Sequence, residues 1–156
     1  MQLHWAVVSL LFYTVGAGTI DKKVPVPDSD RELQDLVYRA GAPFTNDKLP
    51  RSETNWWLPV PDTGFYATKI RVFNKAKNEY YTTYNIQPTN ARSECNKNTV
   101  SISSLRKCAI ESPIVQIQVC NYMLAWTEGD WSTVEIEGTC DIRAARIAYG
   151  VKPEGD

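Results

Sequence analysis

Period-two alternation of apolar and polar residues is clearest in two stretches of the C-terminal half. SPIVQIQVCNYMLAW (112–126) sets Val115, Ile117 and Val119 against Gln116 and Gln118. WSTVEIEGTC (131–140) sets Val134 and Ile136 against Thr133, Glu135 and Glu137. This is the pattern of strands with one face buried. The short polar turn TEGD joins the two stretches, which makes them antiparallel neighbours. FYATKIRVF (65–73) alternates Ile70 and Val72 with Lys69 and Arg71, and EYYTTYNIQP (79–88) is rich in Tyr and Thr; NKAKN between them reads as a hairpin turn. One stretch has a different period. Leu33, Leu36, Val37 and Ala40 fall at helical spacing behind SDRE, where Ser29 and Glu32 form a capping box, and Gly41 with Pro43 ends the run. A helix over about 30–40 follows, its apolar stripe facing the core.

The remaining segments show no period. TIDKKVPVPD (19–28) contains two prolines and reads as an extended, mobile N-terminal segment. Residues 42–64 carry four prolines and the pair Trp56-Trp57, a long irregular connection of the kind that is often functional. The two tryptophans either cover the open edge of a core or form a binding patch. Residues 89–111 read as a polar connection, and 143–156 as a C-terminal tail. The expected architecture is α+β: one N-terminal helix packed on a four-stranded, or five-stranded, antiparallel sheet with one wet face.

Composition narrows the function classes. The first twenty of the 156 residues contain no Lys, Arg, Asp or Glu, and Ala6 to Val15 is almost wholly apolar, too short to span a bilayer comfortably. With the small residues that follow, residues 1–18 read as a secretory signal peptide. The expected location is extracellular, with no membrane association after signal removal. The only histidine, His4, falls inside that signal. The mature chain would then lack Ser-His-Asp and Cys-His nucleophilic devices and imidazole zinc sites. Glu128 and Asp130 flank a turn and Glu135 and Glu137 share a strand face; both pairs read as solvated carboxylates, so no catalytic residue, metal or cofactor is expected. Seventeen basic residues against eighteen acidic ones leave no strong basic field for nucleic acid.

The four cysteines, Cys95, Cys108, Cys120 and Cys140, include no CxxC pair, and an even count in a secreted chain favours disulfides. Three connectivities are open. Sequential pairing is the simplest, each bridge closing a loop of about 15 to 20 residues and contributing roughly 3 kcal/mol.

Helix, then strands, with every cysteine in the last half, resembles the secreted two-disulfide cystatins, inhibitors of papain-like cysteine peptidases. YYTTYNIQPTNARSEC (80–95) looks like that family's third strand running into its first cysteine. The loop from Cys120 to Cys140, with a Trp at a hairpin turn, is similar to its final disulfide loop. The resemblance covers about residues 20 to 141 and implies a cystatin-like domain at 29–142. It also implies a monomer that inhibits reversibly, through a wedge laid into the peptidase cleft. Carried onto this sequence, the peptidase contacts are Gly18 in the N-terminal segment, Asn74, Lys75, Ala76 and Lys77 in the first loop, and Trp126, Gly129, Asp130 and Trp131 in the second. Two motifs differ from the family's. Phe73 to Lys77 stands where Gln-x-Val-x-Gly is expected, and Trp131 follows Asp130 rather than Pro. The alternative is a non-inhibitory protein of the same fold that binds another extracellular protein, with Trp56 and Trp57 as candidate contacts.

Overall fold

The computed structural model describes residues 22–61 and 65–145. The expected signal segment 1–18, Gly18 with it, and tail residues 146–156 lie outside the described residues.

Strand β1 is Val24–Val26. Helix α1 follows in three consecutive segments: α-helical Arg31–Leu36, π-helical Val37–Gly41, and α-helical Ala42–Asp47. Then come β2 (Asn55–Pro59), β3 (Phe65–Asn74), β4 (Glu79–Asn96), a 3-10 turn (Ile102–Lys107), β5 (Gln116–Thr127) and β6 (Asp130–Ala144). One helix thus packs on one six-stranded antiparallel sheet of order β1-β3-β4-β5-β6, with β2 paired to β4 off that path.

The strand count corrects the expected four or five. The extra strands come from segments whose prolines hid them. β1 is an edge strand, where Pro25 lacks only a hydrogen bond that an edge can forgo. β2 lies within the supposed irregular connection. It docks on the far half of β4, Trp57 opposite Arg92 and Pro59 opposite Asn90, beyond Pro88, where pairing with β3 stops. β4 therefore serves two partners along one edge and runs to Asn96, well into the expected polar connection.

The helix also runs past its expected stop, to Asp47. Asp30 rather than Ser29 caps it, accepting from the Leu33 N–H at 2.9 Å. Glu32 does not close a capping box; its carboxylate instead accepts from the Tyr84 hydroxyl of β4. Pro43 fails to end the helix because the turn before it is widened. The Ala42 N–H reaches back five residues to the Val37 carbonyl. That π turn relieves the crowding and missing donor that proline brings to an α-helix. Gly41 is not a terminator either: a Cβ there would overlap the Tyr122 hydroxyl, so the glycine permits helix and sheet to approach.

Leu33, Leu36 and Val37 of α1 pack on Ala67, Tyr84, Ile86, Cys120, Tyr122, Leu124 and Trp126 of the sheet, and Val26 closes the β1 side. This fixes the side-chain parity of each strand; Val72 and Ile117 are buried as expected, but on the face away from the helix. In β3, Ala67 faces the helix, so Lys69 and Arg71 do too, while Ile70 and Val72 point to the opposite face. In β5 the helix face is Gln118, Cys120, Tyr122, Leu124 and Trp126, and Val115 is 71% exposed. The helix covers only the middle rows of the sheet. At its C-terminal end the sheet must meet free carbonyls, and buried Gln118 donates to the Thr45 carbonyl at 2.7 Å while accepting from Asn90 at 3.1 Å. At its N-terminal end the sheet continues past it, so cations are tolerated on the same face.

The disulfides take the sequential pairing, Cys95–Cys108 and Cys120–Cys140. The second joins directly opposed residues of β5 and β6; the first fastens the 3-10 turn, with its buried Leu105, to the end of β4. Among the described residues no helix is long and apolar enough to cross a membrane.

Candidate functional site

Three segments meet at one end of the sheet. The β3–β4 turn lies there, closed by the pairing of Asn74 with Glu79. The β5–β6 turn lies beside it, because Tyr81 near the start of β4 pairs with Thr127 at the end of β5. β1 is antiparallel to β3, with Val24 opposite Lys69 and Val26 opposite Ala67, so it enters the sheet from this end.

Each turn is fixed by local chemistry. In the first, the buried Asn74 side chain accepts from the Ala76 N–H at 3.0 Å and the Lys77 N–H at 3.4 Å, and Asn78 takes a left-handed φ of 53°. Lys75, Ala76 and Lys77 are left exposed. In the second, Gly129 takes φ 84°, where a side chain would be strained. The Asp130 carboxylate accepts from the Ser132 N–H at 3.1 Å and its hydroxyl at 2.6 Å. Thr133 donates to the Asp130 carbonyl at 2.7 Å and accepts from the Thr127 N–H at 2.8 Å.

A clasp joins the two turns. Glu128 accepts from Arg71 Nε at 2.6 Å, Arg71 Nη2 at 2.9 Å and the Thr82 hydroxyl at 2.9 Å, while its own N–H donates to the Tyr80 carbonyl at 3.1 Å. The Arg71 guanidinium also lies 3.5 Å from the Tyr80 ring centroid, and Phe73 packs on Tyr80 at 4.8 Å. The bidentate Arg71 bond holds the Glu128 carboxyl below its ordinary value. Partial burial opposes this, and the Thr82 bond and the positive charges of Arg71 and Lys69 reinforce it. An ionised carboxylate so fully engaged braces the site and is not poised to transfer a proton.

The expected contact residues divide accordingly. Lys75, Ala76, Lys77, Gly129 and Asp130 stand at the tips, and Asn74 supports its turn from inside. Trp126 does not project: it is 5% exposed and belongs to the core. Trp131 lies half-buried 5.2 Å from Trp126, with the Arg39 guanidinium of α1 3.9 Å from its ring centroid. Arg71, Thr82 and Tyr80 were not legible as site residues. They sit far from Glu128 in sequence, and only strand register brings them together.

Trp56 and Trp57 lie away from the tips, where β2 meets the second half of β4. Trp57 is buried, its backbone N–H and carbonyl each 2.8 Å from the Asn46 side chain, which pairs with β2 as a neighbouring strand would. It walls a groove of about 110 Å³ with Ala91, Arg92, Pro113 and Ile114, over which Arg92 bridges Glu53 and Glu111. Trp56 is half-buried and donates to the Val100 carbonyl at 3.3 Å. Among the described residues no three Cys, Asp or Glu side chains are grouped as metal ligands. Comparisons of the chain with protein-family models, curated proteins and solved structures return no match.

Proposed function

We propose that this chain is a secreted, cystatin-like reversible inhibitor of papain-like cysteine peptidases, which acts by laying the two-turn end of its sheet into the active-site cleft. The supporting observation is the clasp: two hairpin tips and the start of β1 share one end, and Arg71 and Glu128 lock the tips in register. A preformed wedge loses little conformational entropy on docking, which favours binding by shape. A contact of about 800 Å² per partner is ordinary for such complexes. The test is titration of papain with the purified chain. Inhibition at nanomolar concentration that is weakened by Arg71→Ala is expected; no inhibition at micromolar concentration would reject this function.

A second function is favoured by the burial of Trp126 and the stacking of Trp131 on the helix side. With both rings turned away, the second turn offers only Glu128, Gly129 and Asp130, and an apolar cleft gains little from it. The chain would then bind another extracellular protein without inhibiting a peptidase. Absence of inhibition together with saturable capture of one purified extracellular protein, lost in Lys75→Ala or Asp130→Ala, is the outcome that selects this function.

A further inference from the structure

The sheet end that carries the two tips is cationic, although the chain as a whole is nearly neutral. Lys22, Lys23, Lys69, Arg71, Lys75 and Lys77 gather there against Glu79, Glu128 and Asp130. The anions are largely engaged: Glu128 is held by Arg71 and Thr82, and the Asp130 carboxylate by Ser132. The lysines ahead of β1 and in the first turn are not. Lys22, Lys23, Lys75 and Lys77 are all exposed, and among the described residues none of them forms an ion pair. Away from this end, Arg92 is paired with Glu53 and Glu111, and Arg106 with Asp35.

Given the wedge function proposed above, on which this depends, we infer that the tips dock on a protein whose cleft is rimmed by carboxylates. Ammonium groups at an exposed rim stay hydrated, so they act chiefly by steering the encounter and rejecting basic partners. A membrane suits the tips poorly, because of the two tryptophans beside them Trp126 is buried and Trp131 half-buried. Nucleic acid suits them poorly too, since carboxylates are interleaved with the lysines and few phosphates could be neutralised.

The experiment is stopped-flow association with two papain-like peptidases, one with an acidic cleft rim and one with a neutral rim, at about 0.02 M and about 0.5 M salt. The acidic-rim enzyme should be bound faster by tenfold or more at low salt, and the advantage should vanish at high salt. The double variant Lys75→Glu/Lys77→Glu should lose that advantage with little change in dissociation rate. Lys22→Glu/Lys23→Glu, outside the hairpin, should give a smaller loss in the same direction and guards against a misfolded turn. Equal association rates for the unaltered chain and both variants at low salt, with inhibition intact, would overturn the inference and leave the wedge function standing. Failure to inhibit either enzyme would overturn both. Capture of the chain by anionic vesicles or single-stranded DNA in the same low-salt buffer, lost in the double variant, would overturn the choice of a protein partner.

Discussion

The Tyr122 hydroxyl occupies the space beside Gly41 that a side chain would fill, so the only glycine of the helix and the largest fully buried side chain of β5 depend on each other. Gly138 of β6 does the same on the other side: a Cβ there would overlap the Tyr122 backbone and Cβ. Tyr122 is 1% exposed, and among the described residues its hydroxyl has no hydrogen-bond partner. Gly41→Ala should therefore destabilise the fold by about 1–3 kcal/mol through overpacking. Tyr122→Phe should be neutral or mildly stabilising, since it removes an unpaired buried hydroxyl. The double variant should recover much of the Gly41→Ala loss, because the overlap is with the hydroxyl end of the ring. Urea midpoints for the four proteins check this; additive losses in the double variant would show that the ring contact is not the cause.

The same pair shows where sequence reasoning reached and where it stopped. The helix start near residue 30, the strands around 65–73, 79–88 and 131–140, and their antiparallel hairpins were legible, because each carries its own period or turn chemistry. Which face of a strand meets the helix was not. In β3 Ile70 and Val72 outshine Ala67, yet small Ala67 is the residue under the helix. Of Val115, Ile117 and Val119, only Ile117 is buried, and it lies on the face opposite the helix, while Gln118 takes the helix side to meet the helix C-terminus. Gly41 and Pro43 carried stop signals that a π turn and a close approach overrode. At the candidate site the turns were legible and the clasp was not: the Arg71–Glu128 bond depends on register across three strands.

Gln118 offers a direct check on that parity. It is wholly buried and bonded at both ends of its amide, to the Thr45 carbonyl and to Asn90. Gln118→Leu keeps the volume but strands a helix-end carbonyl and the Asn90 amide. A loss of about 2–3 kcal/mol is expected. Gln116→Leu, at an exposed position on the same strand, should change stability by less than about 0.5 kcal/mol. Similar midpoints for the two variants would contradict the placement of Gln118 under α1.

The Glu32–Tyr84 bond ties the first helical turn to the centre of the sheet. Burial raises the Tyr84 phenol above its ordinary 10.0, and the Glu32 bond and the nearby charges of Glu32, Asp30 and Glu128 push it further the same way. Burial alone raises Tyr122. Raised folded values mean that the neutral phenols contribute stability fully below pH 10, and that this is lost as pH rises above the unfolded value. Alkaline titration of the native chain should leave these two tyrosines un-ionised where exposed ones ionise, and the urea midpoint should fall above pH 10. Tyr84→Phe should remove part of that fall and lower stability at neutral pH by about 1–2 kcal/mol. An unchanged alkaline slope in Tyr84→Phe would show that this bond does not govern it.

At the two-turn end of the sheet the sign reverses. Glu128 is held below its ordinary 4.5 chiefly by the Arg71 bond; burial opposes this, and the Thr82 bond and the charges of Arg71 and Lys69 add smaller lowering effects. Its clasp therefore contributes stability at pH above the unfolded value and loses it as pH falls through the lower folded one. Both side chains are about a third exposed, so the contribution to global stability is limited to about 1 kcal/mol. The larger effect should be local. Acidification below pH 4.5, or Glu128→Gln at neutral pH, should lower the amide protection factor, exchange taken relative to the free-peptide rate at the same pH, at Glu128, whose N–H donates to Tyr80, and at Thr127 in the adjoining turn, leaving Leu124 protected. Arg71→Ala should reproduce the effect, and a double-mutant cycle should give a coupling of about 1 kcal/mol between the two residues. If the wedge is the working surface, inhibition should weaken in step with that exchange, because freed tips must be ordered again on docking. Faster exchange with undiminished inhibition would show that the clasp stabilises the sheet end without preparing it for a partner.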